Sequence, residues 1–202
     1  MKKAIVLSIL LTVFCGCESK EKAMTGFLSD YSKLKKESES TLRYVDEDAA
    51  RKYSSFIVDP VQVRFYSGSP SEGKLTVQQL TDLTNHMHTK IIEAIQGAGK
   101  TVVEQPGRGV ARVRVALTDI KKSTAVSVLP QASLLGAGIG GASMQAEVVD
   151  SVTGKQIGAV VQSGIGSRIP FTNLGDLDAA KVVIDGWAKR FQERLIALNK
   201  TK

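Results

Sequence analysis

Apolar and polar positions alternate in three parts of this chain and recur at helical spacing in two others. In residues 56–66, Val61, Val63 and Phe65 alternate with Gln62, Arg64 and Tyr66. This predicts a half-buried strand that begins after Pro60 or bulges there, because proline cannot donate to a ladder. Residues 110–119 set Val113, Val115 and Leu117 against Arg112, Arg114 and Thr118, a strand with one basic face. Residues 142–149 and 156–163 read as two strands joined by the turn Asp150-Ser151-Val152-Thr153-Gly154-Lys155, in which Gly154 supplies the positive φ such a turn needs. Residues 75–96 carry Leu80, Leu83, Met87, Ile91 and Ile95 at spacings of three or four, one stripe of a helix. Thr76 with Gln79 three residues on predicts its capped start, and Gly97 and Gly99 its end. After a short strand at 101–103, a second long helix is predicted over 177–198, with Ala180, Ile184, Trp187, Phe191, Leu195 and Leu198 as its stripe. Gly186 costs that helix about 1 kcal/mol against alanine and marks expected close packing on the sheet.

The order strand, helix, short strand, strand, hairpin, helix predicts an α+β domain. Two apolar helix stripes and several one-faced strands are satisfied together by a two-layer sandwich, with both long helices on one face of a mixed, mostly antiparallel sheet. The other face is expected to stay in solvent or meet a partner.

Three stretches fall outside this pattern. Residues 26–34 hold Phe27, Leu28, Tyr31 and Leu34, too many large apolar side chains for a free linker, and are expected to lie against the domain. Residues 35–50 are highly charged and read as an irregular surface segment anchored by Leu42, Tyr44 and Val45. Residues 123–146 contain no charged side chain, yet Pro130 and several glycines make them too breakable to span a membrane. Within them, the loop at 123–141 is expected to present Val128, Leu129, Leu134, Leu135 and Ile139 as a contact surface for protein or lipid.

The beginning of the chain changes the picture most. Lys2 and Lys3 precede the apolar run Ala4 to Phe14, which is about half of the ~20 residues needed to span a bilayer. Gly16, small enough for a peptidase, stands directly before Cys17. Residues 1–16 therefore read as a lipoprotein signal peptide cut between Gly16 and Cys17. Cys17 is the expected lipidation site, residues 17–25 form the tether, and residues 26–202 make a single periplasmic domain. Glu18, rather than aspartate, follows the lipidated position, so the outer membrane is the expected address.

Composition then removes several classes of function. Of the two cysteines, Cys15 leaves with the signal and Cys17 is acylated, so no disulfide scaffold or cysteine metal site is expected. The formal charge of +7 loses Lys2 and Lys3, and 25 basic against 20 acidic side chains give +5 with the amine of Cys17 acylated. The basic residues are interleaved with acids, which disfavours nucleic acid as a partner. His86 and His88 are the only histidines and point about 200° apart on a helix, so they do not ligate one metal from one face. Gly136 to Gly141 lacks the Lys-Ser/Thr of a phosphate loop, and neither a cofactor nor a catalytic residue is expected. Asp46, Glu47 and Asp48 read as helix-start or solvated acids. Arg64, Arg112 and Arg114 form a candidate basic face for an anionic partner.

Several collinear segments are also familiar. Gly26-Phe27-Leu28 with Asp30-Tyr31, Ile57-Val58-Asp59-Pro60-Val61, the run from Arg112 to Asp119, Asp150-Ser151-Val152-Thr153-Gly154 and Trp187-Ala188-Lys189-Arg190 resemble the bacterial lipoproteins grouped as domain of unknown function 3313 (DUF3313). The resemblance covers essentially the whole mature chain. It implies a lipid-anchored envelope protein of Gram-negative bacteria with no assigned activity, and it carries no catalytic residues. The expected function is a non-enzymatic binding or scaffolding module for an envelope protein or polymer. The alternative is a homo-oligomeric, self-assembling subunit of an envelope or secretion-type complex that uses the glycine-rich loop.

Overall fold

The computed structural model describes residues 24–66, 69, 71–122, 140–166 and 177–200. Gly16, Cys17 and the loop residues Val128, Leu129, Leu134, Leu135 and Ile139 lie outside these. The elements in chain order are β1 (Lys35–Ser38), β2 (Thr41–Val45), α1 (Glu47–Ala50), β3 (Ser55–Val58), β4 (Gln62–Val63), α2 (Val77–Gly97), β5 (Thr101–Val102), β6 (Val110–Lys121), β7 (Gly141–Asp150), β8 (Gln156–Ile165) and α3 (Asp178–Lys200). They form a mixed α/β fold with an open eight-stranded sheet in the order β1-β2-β8-β7-β6-β3-β5, and β4 pairs beside β6. The pairings from β1 to β6 are antiparallel, whereas β3 and β4 run parallel to β6 and β5 parallel to β3.

The local signals account for most of these elements. Thr76 and Gln79 close a capping box in both directions, the Gln79 amide donating to Thr76 Oγ1 at 3.2 Å and the Thr76 amide to Gln79 Oε1 at 3.1 Å. α2 ends where Gly99 takes φ +72° and the Lys100 amide reaches back to the Ile95 carbonyl. The single strand expected over 56–66 is instead split. β3 stops before Asp59-Pro60 and β4 resumes for two residues, both on the same edge of β6.

Residues 35–50 correct the expectation of an irregular segment, because they form the β1–β2 hairpin and the short helix α1. Every residue of β1 is exposed, so it carries no alternation to detect. Its lysines suit an edge strand that must not recruit another chain. Asp46 caps α1 by accepting from the Ala49 amide at 3.0 Å.

The main core joins both long helices to alternate positions of the central strands. Leu83, Met87, Ile91 and Ile95 of α2 and Ile184, Trp187 and Leu195 of α3 share one buried cluster with Val113, Val115 and Leu117 of β6. A second cluster holds Phe27 and Leu28 with Ala116, Ala159 and Val161, whose positions alternate with the first set. Residues 24–34 thus form a strap over the sheet's back face, so part of the face expected to stay in solvent or meet a partner is covered by the chain itself.

Gly186 also differs from expectation. A Cβ built on it meets only the Arg190 guanidinium, at 3.4 Å, so it marks no close approach to the sheet. The tight approaches of the end of β8 to α3 are at Gly164, whose Cβ would lie 2.5 Å from Val183 Cγ1, and Gly166, whose Cβ would lie 2.5 Å from Ala179 Cβ. Gly164→Ala is therefore expected to lose about 1–3 kcal/mol through overpacking. Gly186→Ala is expected to gain about 0.5–1 kcal/mol from helix propensity and a less flexible unfolded chain. Urea denaturation of the two variants checks both signs.

Candidate functional site

A cavity of about 440 Å³ opens between the sheet and α3. Its origin is legible in the packing. Gly164 and Gly166 bring the start of α3 close against the end of β8. Further along the sheet the facing residues are small, Ala111, Ala146 and Gly158, and α3 presents Trp187, Phe191 and Leu198 across a gap. Ala146, Val148 and Val160 point into this gap and are only half-buried, although they stand in the central strands. Met87 and Ile91 of α2 and Phe56 of β3 complete the apolar wall.

Polar residues also line the cavity. Arg43 of β2, Arg51 just past α1, and Arg190 and Arg194 of α3 line it together with Glu47 and Tyr53. Glu37 lies between two of the guanidiniums, 3.0 Å from Arg43 Nη2 and 3.1 Å from Arg194 Nη2. Arg51 pairs with Glu47 at 3.1 Å and Asp48 at 2.9 Å. Two lining donors are buried without an acceptor among the described residues, the indole Nε1 of Trp187 and the Nε of Arg51. Trp187, the chain's one tryptophan, is 3% exposed. Beside the cavity lies a shallower groove lined by Lys33, Lys35 and Lys36, and the two depressions share Arg43, Tyr44, Val45 and Glu47.

Tyr53 ties the cavity wall to the β7–β8 turn. Its hydroxyl donates to Asp150 Oδ2 at 2.8 Å, while Asp150 Oδ1 accepts from the amides of Val152 and Thr153 and from the Thr153 hydroxyl. The Thr153 amide first, then the Tyr53 and Thr153 hydroxyls, hold the Asp150 carboxyl down at about 2 from its ordinary 3.8. Burial, then the bond to Asp150, pushes the Tyr53 hydroxyl up to about 12 from 10.0. A carboxyl with a depressed folded value contributes stability that is fully present above about pH 4 and lost as pH falls through about 2; a phenol with a raised value contributes stability present below about pH 10 and lost as pH rises through about 12. The urea midpoint is expected to decline on both limbs. Asp150→Asn should flatten the acid limb, which a midpoint-against-pH series reads directly.

On the back face, Glu147 is the centre of a buried polar cluster. Its Oε2 accepts from the Ser29 amide at 2.9 Å, the Ser29 hydroxyl at 2.7 Å and Gln156 Nε2 at 3.0 Å, and its Oε1 from Arg114 Nη1 at 2.5 Å. The Arg114 guanidinium lies 5.3 Å from the Phe27 ring centroid. Gln145 Oε1 accepts from the Tyr31 hydroxyl and from Thr25 Oγ1 at 3.2 Å.

The structure places the sequence-derived basic residues as follows. Arg112 and Arg114 share a face of β6, but Arg112 pairs with Asp59 and Arg114 with Glu147. Arg64, one residue past β4, is exposed and donates from Nε to Gln62 Oε1 at 3.1 Å. His86 Nε2 meets Asp185 of α3 at 2.8 Å, whereas His88 Nε2 faces the Val58 carbonyl at 3.4 Å on the other side. Among the described residues no group of three His, Cys, Asp or Glu side chains could hold a metal, and no helix is long and apolar enough to cross a membrane. The cavity, the Glu147 cluster and the buried Asp119, which accepts from the Ser69 and Ser71 hydroxyls, escaped sequence reasoning.

Fold and site together define a mixed α/β domain with a strapped sheet and a side cavity. A family model described as a protein of unknown function (DUF3313) matches residues 23–191, and the chain belongs to that family. No curated protein matches the chain. Among solved structures it is similar to the PelC dodecamer from Paraburkholderia phytofirmans, at 13% identity and a TM-score of 0.46, over 76% of this chain and 96% of that one. It is similar also to a DUF330-family protein from Xanthomonas campestris, at 11% identity and a TM-score of 0.40, over 73% and 83% of the two chains. A third is a protein described as a lipoprotein from Caulobacter crescentus, at 8% identity and a TM-score of 0.36, over 77% and 96%.

Proposed function

We propose that this protein is a non-enzymatic binding module of the cell envelope, anchored through lipid on Cys17 at the outer membrane and facing the periplasm, and that the cavity beside α3 is its binding site. The reading treats the domain as two layers with both long helices on one face, as their shared core with Val113, Val115 and Leu117 supports. The observation that carries it is the cavity itself, about 440 Å³ of space with a largely apolar wall and a small set of charged and polar residues. That is the usual form of a small-ligand site, about 300–1,000 Å³ and mostly apolar. A binding role without chemistry fits the two buried carboxylates: both oxygens of Glu147 are engaged by hydroxyl, amide and guanidinium donors, and Asp119 Oδ1 accepts from two serine hydroxyls.

The test uses the mature chain, residues 17–202, with Cys17→Ser so that no acyl chain competes. N-phenyl-1-naphthylamine, a neutral apolar dye, is titrated while both its fluorescence and energy transfer from Trp187 are followed. Saturable binding of one dye, with quenching of Trp187, is expected. Absence of any saturable signal would remove the cavity as the functional site.

A further inference from the structure

Among the described residues, the two buried side-chain atoms of the cavity's wall residues that lack a partner, Arg51 Nε and Trp187 Nε1, are both donors, and this points to the chemistry of its occupant. We infer that the cavity takes a single-chain amphiphile with an anionic headgroup, its hydrocarbon chain along the apolar wall and its acceptor oxygens toward the arginines of the rim. This deepens the proposed binding function and rests on it.

The first support is charge. Arg43, Arg51, Arg190 and Arg194 face Glu37, Glu47 and Asp48, four guanidiniums against three carboxylates, which leaves one positive charge in excess. Arg43 and Arg194 share Glu37. Arg190 is exposed and has no ion-pair partner among the described residues. Glu147 also borders the cavity, but its carboxylate is turned to the back face and occupied there, so it does not oppose an anion.

The second support is hydrogen bonding. A buried N–H without an acceptor forfeits the water it had in the unfolded chain, so such groups are rare and call for a partner. Here two of them, Trp187 Nε1 and Arg51 Nε, belong to the walls of one cavity. A carboxylate or phosphate offers acceptors only, whereas an ammonium headgroup would bring further donors to a site already rich in them.

The third support is continuity. The cavity shares Arg43, Tyr44, Val45 and Glu47 with the groove of Lys33, Lys35 and Lys36. Lys33 and Lys36 are paired with Asp30 and Glu39, so an anionic head leaving the apolar space meets the positive charge of Lys35, which has no ion-pair partner among the described residues. A neutral apolar solute would make no use of this arrangement, and a cationic one would be opposed by it.

The experiment displaces N-phenyl-1-naphthylamine from the same mature chain with matched twelve-carbon amphiphiles below their micellar concentrations. The probes are dodecanoate, dodecan-1-ol, dodecyltrimethylammonium and 1-lauroyl-lysophosphatidylglycerol. At low salt an anionic member is expected to bind about tenfold more tightly than dodecan-1-ol, the size of one charge-assisted hydrogen bond. That advantage should shrink as salt rises. Arg190→Gln, a change at an exposed side chain, should remove several-fold of that anionic advantage, read as the ratio of dodecanoate to dodecan-1-ol affinity. Lengthening the carboxylate from eight carbons should tighten binding about fourfold per methylene until the cavity is filled. Preference for dodecanoate or for the lysophospholipid assigns the free carboxylate or the glycerophosphate as the natural head, and either supports the inference. Equal displacement by all four probes would overturn the anionic headgroup while leaving the binding site standing. Failure of the dye itself to bind would overturn the site.

Discussion

Trp187→Ala is expected to lose about 4 kcal/mol of stability, the middle of the range for a large buried aromatic, because the indole both fills the core and walls the cavity. Trp187 is packed among Met87, Ile91, Ile184 and Leu195 in the main cluster. Its removal would extend an existing void instead of letting neighbours collapse into the space. Trp187→Phe separates the two contributions of the ring. Much of the packing survives, and the indole N–H that has no acceptor disappears with its desolvation cost. The expected loss is then about 1 kcal/mol. Urea denaturation followed by circular dichroism measures both. A phenylalanine variant as damaged as the alanine variant would show that the N–H has a partner essential to the fold.

The next largest effect is expected at Glu147. Breaking a buried ion pair by removing one partner costs about 3–5 kcal/mol. Arg114 is 35% exposed at its side chain and can regain water, so the lower end, about 3 kcal/mol, applies to Glu147→Ala. The loss should be local before it is global. Ser29 gives up both of its bonds to the strand, and Gln156 loses one of three. Faster hydrogen exchange at the Ser29 amide and tryptic cleavage at Lys33 under native conditions are the expected readouts. Unchanged protection of residues 24–34 would mean that the apolar contacts of Phe27 and Leu28 and the bonds to Gln145 and Gln156 hold the strap without Glu147. Glu147→Gln keeps an acceptor while discarding the charge, and should fall between the wild type and the alanine variant.

How much of this was legible depends on where each element finds its partners. α2 carries its own capping box and stripe, and β7–β8 carries its own turn, so both were readable from local sequence. β1 was not, because an edge strand exposed along its whole length has neither a buried face nor alternation to advertise. The presence of residues 26–34 on the domain followed from their apolar content, but not their seat on the back face. That seat depends on Glu147, which reads in sequence as an ordinary polar position of an alternating strand and meets Ser29 only through a contact 118 residues apart. Arg112 and Arg114 stand two residues apart in β6, and with Arg64 they made the expected basic face. The acids that neutralise Arg112 and Arg114 come from β7 and from the break after β3, and spacing within one strand says nothing about these. The cavity had no signature beyond the small residues Ala111, Ala146 and Gly158, since an absence of side chains cannot be distinguished in sequence from tight packing.

The strap also determines how the fold carries mechanical load. On the proposed anchoring, any pull between membrane and domain travels along the chain from Cys17, which reaches Met24 within about 25 Å even when fully extended. It enters the sheet at Thr25 through Gln145 and at Ser29 through Glu147, both of β7. β7 is the receiving strand, and it is held on both sides by long antiparallel partners, β6 and β8. Tension is therefore shared across the middle of the sheet and does not peel the short edge strands β1 and β5, so the lipid leash is tied to the strand best able to resist it.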